Sequence, residues 1–251
     1  MSINIILQAR TSSTRLPNKV LKKILGKPML EHQLLRLKQL KSVDNIIVAT
    51  SDETSDDAIE ILCDQNNVHC FRGSLDNVLQ RYYSAYQRFP SEHIIRITGD
   101  CPVIDINIID KVIKLHMSTG ADYSSNCSPA TLPDGLDVEI FTADALIKTY
   151  QQATKLSELE HVTLFIRSHP TLFTCKNYYH PTDYSHLRWT VDEPEDFELI
   201  QQIFENLYPH KPFFDLEDIV DLMARKPELS DINHRFKRNE GLAKSLLADN
   251  N

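Results

Sequence analysis

Ile3-Asn4-Ile5-Ile6-Leu7-Gln8-Ala9-Arg10-Thr11-Ser12-Ser13-Thr14-Arg15-Leu16-Pro17-Asn18-Lys19 is the stretch from which the rest of the chain can be ordered. Ile3 to Ala9 is apolar apart from Asn4 and Gln8, the pattern of a strand covered on both faces. It runs straight into a loop carrying three cations, Arg10, Arg15 and Lys19, with the hydroxyls of Thr11 to Thr14 between the first two. In open parallel sheets, ligands bind beyond the carboxyl ends of the strands. A loop of this composition at that place can wrap a polyphosphate, Arg through forked contacts and Lys as a point charge. The alternative is an ordinary solvated loop, and the position at a strand end favours the functional reading. The loop is not G-x-x-x-x-G-K-[ST], and no G-x-G-x-x-G occurs in the chain.

Outward from this stretch, short apolar runs alternate with amphipathic ones. Asn45 to Thr50, Val68 to Phe71 and His93 to Thr98 read as strands. Pro28 to Leu40, Asp56 to Asp64, Asp76 to Phe89 and Asn107 to Met117 read as helices between them, with Tyr82, Tyr83 and Tyr86 facing the core. That rhythm predicts an α/β fold, a mostly parallel sheet with helices on both faces. The second half is less regular. Asp137 to Phe141, Leu172 to Lys176 and Leu187 to Val191 read as strands, and Ala143 to Ala153, Leu156 to Arg167, Pro194 to Leu207 and Leu216 to Ala224 as helices. The expectation is one domain over residues 1–251, with an arm or insertion near 127–185 and a loose polar tail over 236–251.

Composition narrows the function classes. The 251 residues carry 27 Lys+Arg against 35 Asp+Glu, a formal net charge of −8, with 41% hydrophobic and 25% charged residues. This excludes long disorder, collagen-like repeats and a disulfide-dense scaffold. The acidic balance speaks against a nucleic-acid binder, although one basic pocket can still hold a polyanion. The five cysteines form no C-x-x-C pair and read as reduced thiols. Met1 to Leu7 lacks a basic n-region and the run breaks at Gln8 and Arg10, so neither a signal peptide nor a membrane span is read there. The expected location is the cytoplasm.

Four further segments could carry chemistry. In Thr98-Gly99-Asp100-Cys101-Pro102 a carboxylate ends a buried strand, where it suits Mg²⁺ or simply caps a turn. Asp192, in Val191-Asp192-Glu193-Pro194-Glu195-Asp196, ends another apolar run and is either a second metal carboxylate or a helix cap. Asp134-Gly135-Leu136-Asp137-Val138-Glu139 could present Asp137 and Glu139 to sugar hydroxyls, or be a D-G turn, which is the slightly favoured reading. Glu160-His161 sits on a helical stretch, where a lone histidine is more often structural than catalytic.

Taken together, Ala9-Arg10-x-x-Ser13-Thr14-Arg15-Leu16-Pro17-x-Lys19 resembles the N-terminal signature of the sugar-acid cytidylyltransferases, which make CMP-Kdo and CMP-sialic acids. The closer likeness is to their SpsF-like, spore-coat polysaccharide branch. Arg72-Gly73-Ser74, Gly99-Asp100-Cys101-Pro102, Asp134 to Glu139, Glu160-His161-Val162-Thr163 and Val191-Asp192-x-Pro194-Glu195-Asp196 follow in the family's order. The resemblance implies a Rossmann-like three-layer α/β/α sandwich of the nucleotide-diphospho-sugar transferase type, a homodimer, CTP and a sugar acid as substrates, and Mg²⁺. It implies that Gln8, Ala9, Arg10, Ser12, Arg15, Lys19 and Asp100 hold the nucleotide, with Arg72 and Ser74 near the base. Asp100 and Asp192 would hold the metal, Arg10, Lys19, Asp100 and Asp192 would be catalytic, and Asp137, Glu139 and His161 would meet the sugar acid. Cys101 stands where the Kdo-type enzymes carry an acidic residue, so Kdo itself is not implied.

Two rivals remain at this level. A glycosyltransferase of the same general sandwich would consume a finished nucleotide sugar, but such enzymes usually carry D-x-D, and no two aspartates here are two positions apart. A non-catalytic nucleotide-binding protein would need no such full set of cations and carboxylates.

Overall fold

The computed structural model describes residues 1–249, and its first strand, β1 (Ile3–Gln8), sorts its side chains to two sides. Ile3, Ile5 and Leu7 enter one apolar cluster and Ile6 the other, as the period of two in a pleated strand requires. The cationic loop and a short hairpin of β2 (Lys23–Ile24) with β3 (Lys27–Pro28) lead into α1 (Met29–Leu37). Then β4 (Asn45–Ser51), α2 (Asp57–Gln65), β5 (His69–Gly73), α3 (Val78–Arg88), β6 (His93–Thr98) and α4 (Ile106–Thr119) alternate. They are followed by β7 (Tyr123–Ser125), β8 (Glu139–Thr142), α5 (Ala143–Gln152), α6 (Leu156–Glu160), α7 (Leu164–Ser168) and β9 (Cys175–Asn177). Helices α8 (Pro194–Leu207), α9 (Leu216–Arg225) and α10 (Glu240–Ala248) complete the described chain.

The strands form one sheet in the order β5-β4-β1-β6-β8-β7-β9. β1 pairs in parallel with both β4 and β6, while β8 runs antiparallel to β6 and β7. Leu30, Leu34 and Leu37 of α1, Ile108, Ile109 and Val112 of α4, and Leu199, Ile200 and Ile203 of α8 cover the Ile5 face. Val78, Leu79 and Tyr82 of α3 and Phe165 and Ile166 of α7 cover the Ile6 face. Each fully buried aliphatic side chain contributes about 1.5–3 kcal/mol of apolar transfer. The result is the expected α/β/α sandwich. The chain leaves β1 toward β4 and β5 on one side and returns to β6 on the other, so β1 and β6 flank the switch point where such sheets bind ligands.

Local chemistry sets the element ends. The Asp105 side chain accepts from Asn107 N at the start of α4, and Gly120 closes that helix at φ 59°. Pro194 opens α8 between Glu193 and Asp196, which form a capping box.

The second half departs from its sequence reading in five places. The strand read over Leu172 to Lys176 begins only at Cys175, because Leu172 N and Phe173 N close a turn on His169 O. Residues 127–185 are not a separate arm: β8 and β9 continue the main sheet, and α5 and α7 join the layer on the Ile6 face. Leu156 to Arg167 is not one helix but α6 and α7, broken where His161 leaves the helical region at φ −102°, ψ 42°. Leu187 to Val191 is extended but outside the sheet ladder, because its backbone bonds to Asp134 and Asp100 instead. The tail over 236–249 is not loose. It forms α10 and docks on α6 through Ser245 to Glu160 (2.6 Å) and Ser157 N to Asp249 (3.0 Å); residues 250–251 lie outside the described residues. Among the described residues no helix is long and apolar enough to cross a membrane.

Gly135 is where two extended segments cross. Asp134 N donates to Leu187 O at 3.0 Å and Trp189 N to Asp134 O at 2.6 Å. Gly135 has φ +108°, and a Cβ there would lie 2.5 Å from Thr190 N. Gly135→Ala should therefore cost about 2–4 kcal/mol. That would appear as a loss of about 5–12 °C in Tm; an unchanged Tm would contradict this packing.

Candidate active site

The ends of β1 and β6 meet directly. Gln8 lies opposite Thr98, and Gly99 N donates to Gln8 O at 2.8 Å. A Cβ on Gly99 would come within 3.0 Å of both Ala9 Cβ and Gln8 O, so only glycine lets the strand ends close this tightly. The cationic loop leaves from here and is pinned at its root by Asp56. That buried carboxylate accepts from Thr11 N (2.7 Å), Thr11 Oγ1 (2.6 Å), Thr50 Oγ1 (2.9 Å), Ser51 N (3.1 Å) and Ser51 Oγ (2.5 Å). Burial alone would raise its pKa, but the hydrogen bonds from Ser51, Thr11 and Thr50 hold it below the usual carboxylate range.

Lys19 closes the site. Its Nζ donates to Asp100 Oδ2 at 3.2 Å, to Asp192 Oδ1 at 2.8 Å and to Val191 O at 2.8 Å. Asp192 is brought there by backbone pairing, since Val191 N donates to Asp100 O at 2.8 Å. Burial works against the Lys19 charge, and the two aspartates more than restore it. Burial likewise pushes Asp100 up, but Lys19 and the side chains of Thr98 and Cys101 bring it down to about 2. Arg15 adds a second cation on Asp192 at 3.1 Å and pairs with Glu193 at 3.0 Å.

Two cavities open on this centre and share a wall of Gln8, Arg15, Arg96, Thr98, Asp100, His161 and Asp192. The first, about 240 Å³, is also lined by Ala9, Arg10, Ser12, Lys19, Arg81 and Glu160. Five cations there face three carboxylates, a local positive excess on an acidic protein, which suits a polyanion. The second, about 270 Å³, adds Asp134, Asp137, Glu139, Arg167, Arg188 and Arg238 to its lining. Its six cations face six carboxylates, a formal match, and burial with the neighbouring Asp137 pushes Asp134 up to about 7, so the cavity offers dense hydrogen bonding.

The expected site residues thus separate into groups. Gln8, Ala9, Arg10, Ser12, Arg15, Lys19, Asp100 and Asp192 converge on the first cavity, and Asp137, Glu139 and His161 line the second. Arg72 and Ser74 line neither. Arg72 is turned back onto its own layer by Asp57 (2.7 Å), Glu60 (2.8 Å) and the carbonyls of Ser51 and Glu53. Ser74 caps Asn77 N and offers its carbonyl to Arg81 at 2.6 Å, so it acts one step behind the cavity. Glu139 lines the second cavity with its acceptors largely taken: Arg96, Tyr123 Oη (2.6 Å) and Thr163 Oγ1 (2.6 Å) donate to it. Burial raises its pKa, and Arg96 with these partners brings it down to about 2. It holds Arg96 in place on the wall shared by the two cavities. His161 Nε2 lies 2.9 Å from Ser245 Oγ, and burial lowers its pKa, leaving the ring neutral at pH 7.

Sequence reading missed Asp56, Arg96, Arg188 and Arg238. Arg96 and Arg188 did leave a signal, each being a charge inside an apolar run. Arg188 joins Asp134 (2.7 Å), Asp192 (3.1 Å) and Asp196 (2.9 Å). The Nε atoms of Arg96 and Arg167 and the Oε1 of Gln8 are buried at the cavity walls with no hydrogen-bond partner among the described residues.

Asp100 and Asp192, both within 3.2 Å of one nitrogen, form a hard-oxygen pair. Such a pair fits Mg²⁺ that keeps phosphate oxygens and water as its other ligands. No group of three or more His, Cys, Asp or Glu side chains suited to holding a metal alone occurs among the described residues.

Comparison with known proteins gives the same direction. The family model described as cytidylyltransferase matches residues 4–236. An uncharacterised protein of Methanocaldococcus jannaschii is 38% identical over 244 residues, 95% of this chain and 97% of that one. The spore coat polysaccharide biosynthesis protein SpsF of Bacillus subtilis is 34% identical over 230 residues, 89% of this chain and 94% of that one. A solved cytidylyltransferase from Leptospira borgpetersenii superposes with TM-score 0.89 at 31% identity, covering 95% of this chain and 100% of that one. A CMP:2-keto-3-deoxy-manno-octonic acid synthetase complexed with CTP shares the fold at TM-score 0.62 and 17% identity, over 82% of this chain and 99% of that one.

Because the Asp56 pKa is depressed in the fold, its contribution to stability is full above about pH 4 and is lost as pH falls through the lower folded-state value. Asp56→Asn should cost about 2–3 kcal/mol at pH 7. The gap in Tm between parent and variant should shrink in acid below about pH 4; a gap that holds constant down to about pH 2 would show that the charge is not what anchors the loop.

Proposed function

Because the chain belongs to the cytidylyltransferase family, we propose that it transfers the cytidylyl group of CTP to the anomeric hydroxyl of a sugar acid and releases pyrophosphate. The observation that carries the reading is Lys19, whose ammonium joins Asp100 and Asp192 at the mouth of a cavity with excess positive charge. The likeness to a spore coat polysaccharide biosynthesis protein supports placing the activated product in surface-polysaccharide assembly.

In this reading the first cavity takes the nucleotide and the second the acceptor, with the shared wall between the reacting atoms. The acceptor hydroxyl oxygen forms a bond to the α-phosphorus and gives up its proton to solvent water, the bond from that phosphorus to the α–β bridging oxygen breaks, and pyrophosphate leaves as an anion carrying the bridging oxygen. Arg10, which makes no ion pair among the described residues, and Arg15 and Lys19 bind the phosphates and balance the charge that gathers on the leaving group. Holding both partners against one wall converts an encounter in solution into a local reaction. Asp100, ionised and tied to Lys19, keeps the ammonium aimed at the phosphates. Asp100 and Asp192 would hold Mg²⁺, which supplies Lewis-acid polarisation of phosphoryl oxygens when bound.

Thermal-shift titration with each of the four nucleoside triphosphates and Mg²⁺ tests the nucleotide. CTP alone should raise the Tm, increasing with the logarithm of its concentration. Pyrophosphate release with CTP and a sugar acid tests the reaction. Lys19→Ala should lower that turnover by about a hundredfold or more, and parent-like turnover by the variant would overturn the assignment.

A further inference from the structure

The segment after residue 236 lies beyond the span of the family model, yet it walls the second cavity. Arg238 donates to Leu132 O at 3.0 Å and forms an ion pair with Asp137. Glu240 stands 3.7 Å from Arg15. Beyond it, α10 runs over α6, where Ser245 meets His161 and Glu160, and Asp249 accepts from Ser157 N. The segment is therefore tied to two residues of the cavity wall, Asp137 and His161, and to the loop that carries Arg15.

Four carboxylates of this cavity pair with four different cations: Asp100 with Lys19, Asp134 with Arg188, Glu139 with Arg96, and Asp137 with Arg238; Lys19 and Arg188 are shared with Asp192. Only the last cation comes from the C-terminal segment. The four differ in what they have left to offer. Glu139 is 7% exposed and taken up by three donors, and Asp134 is 13% exposed; Asp100, at 26%, is held by Lys19 on the shared wall, whereas Asp137 is 31% exposed and belongs to this cavity alone. Arg238 is the only ion-pair partner of Asp137 among the described residues. An open carboxylate in such a cavity is suited to accept hydrogen bonds from hydroxyl groups. It keeps one orientation only while a cation holds its other side.

We propose that Arg238 is a positioning residue for the acceptor: by holding Asp137 and closing residues 237–249 over the second cavity, it presents that carboxylate to the hydroxyls of a polyhydroxylated substrate. The inference rests on the second cavity being the acceptor site. Arg238 touches no phosphate position in this reading, so its loss should be felt by one substrate alone.

The experiment is steady-state pyrophosphate release with CTP and Mg²⁺, using 3-deoxy-manno-octulosonate and N-acetylneuraminate as acceptors, with CTP binding followed by thermal shift for every variant. Arg238→Ala should raise the acceptor KM by about tenfold or more while the CTP KM stays within about twofold. Arg238→Lys keeps the charge and should recover most of the loss. The Asp137→Asn, Arg238→Ala double variant should be no worse than Asp137→Asn alone, because the two act as one unit. If the parent uses an acid and Arg238→Ala matches its acceptor KM, or loses CTP and acceptor binding in equal measure, the role of Arg238 is overturned alone. If the parent binds CTP and uses neither acid, the sugar-acid reading falls, and the role of Arg238 with it.

Discussion

One ammonium group between two carboxylates governs the geometry of this protein. Lys19, Asp100 and Asp192 come from three distant parts of the chain, and each is supplied by the end of a different structural element. Burial costs each of these charges desolvation, and for Lys19 and Asp100 the attraction of their partners outweighs that cost. The arrangement holds the site aligned with its charges in place. Without the ammonium, two carboxylates would face each other across the gap between β6 and the segment before α8. Their repulsion would act on the backbone pairing of Val191 with Asp100.

Around this centre the supporting contacts fall into two anchors. Asp56 fastens the root of the cationic loop to the end of β4. Arg188 fastens the segment bearing Asp192 to the Asp134 turn on one side and to the cap of α8 on the other, with Asn233 donating to both Asp196 and the Arg188 carbonyl. Charged groups as buried as Arg188 and Asp196 are tolerated because each finds several partners. Gly135 lets the two backbones cross close enough for those partners to meet.

The first half of the fold was legible because its signals are local. Periods of two and of 3.6 can be counted within a dozen residues, and α8 could be placed from a proline and its flanking acids. The cationic loop and Asp100 were legible because strand ends in a parallel sheet share one edge; Asp192 follows a segment outside the ladder and reaches that edge through the bond from Val191 N to Asp100 O. Arg72 misled for the same reason: on paper an arginine at a strand end looks alike whether it faces the ligand edge or folds back on Asp57 and Glu60. Arg188 and Arg238 were not assigned because their partners Asp134 and Asp137 lie 54 and 101 residues away. No periodicity reports a contact of that separation. The break between α6 and α7 was equally hidden, since apolar spacing continues across it while the backbone at His161 does not.

The wall common to both cavities has a consequence for how such an enzyme can diversify. Gln8, Arg96, Thr98 and Asp100 sit at the carboxyl ends of the two central strands and border both compartments. A change there touches both compartments at once, so variation confined to one of them has little room at the centre. The freedom lies at the periphery, in the stretch between β7 and β8 and in the C-terminal segment, which shape only the outer rim of one compartment. A lineage could reshape one compartment by rewriting those two borders while inheriting the other intact.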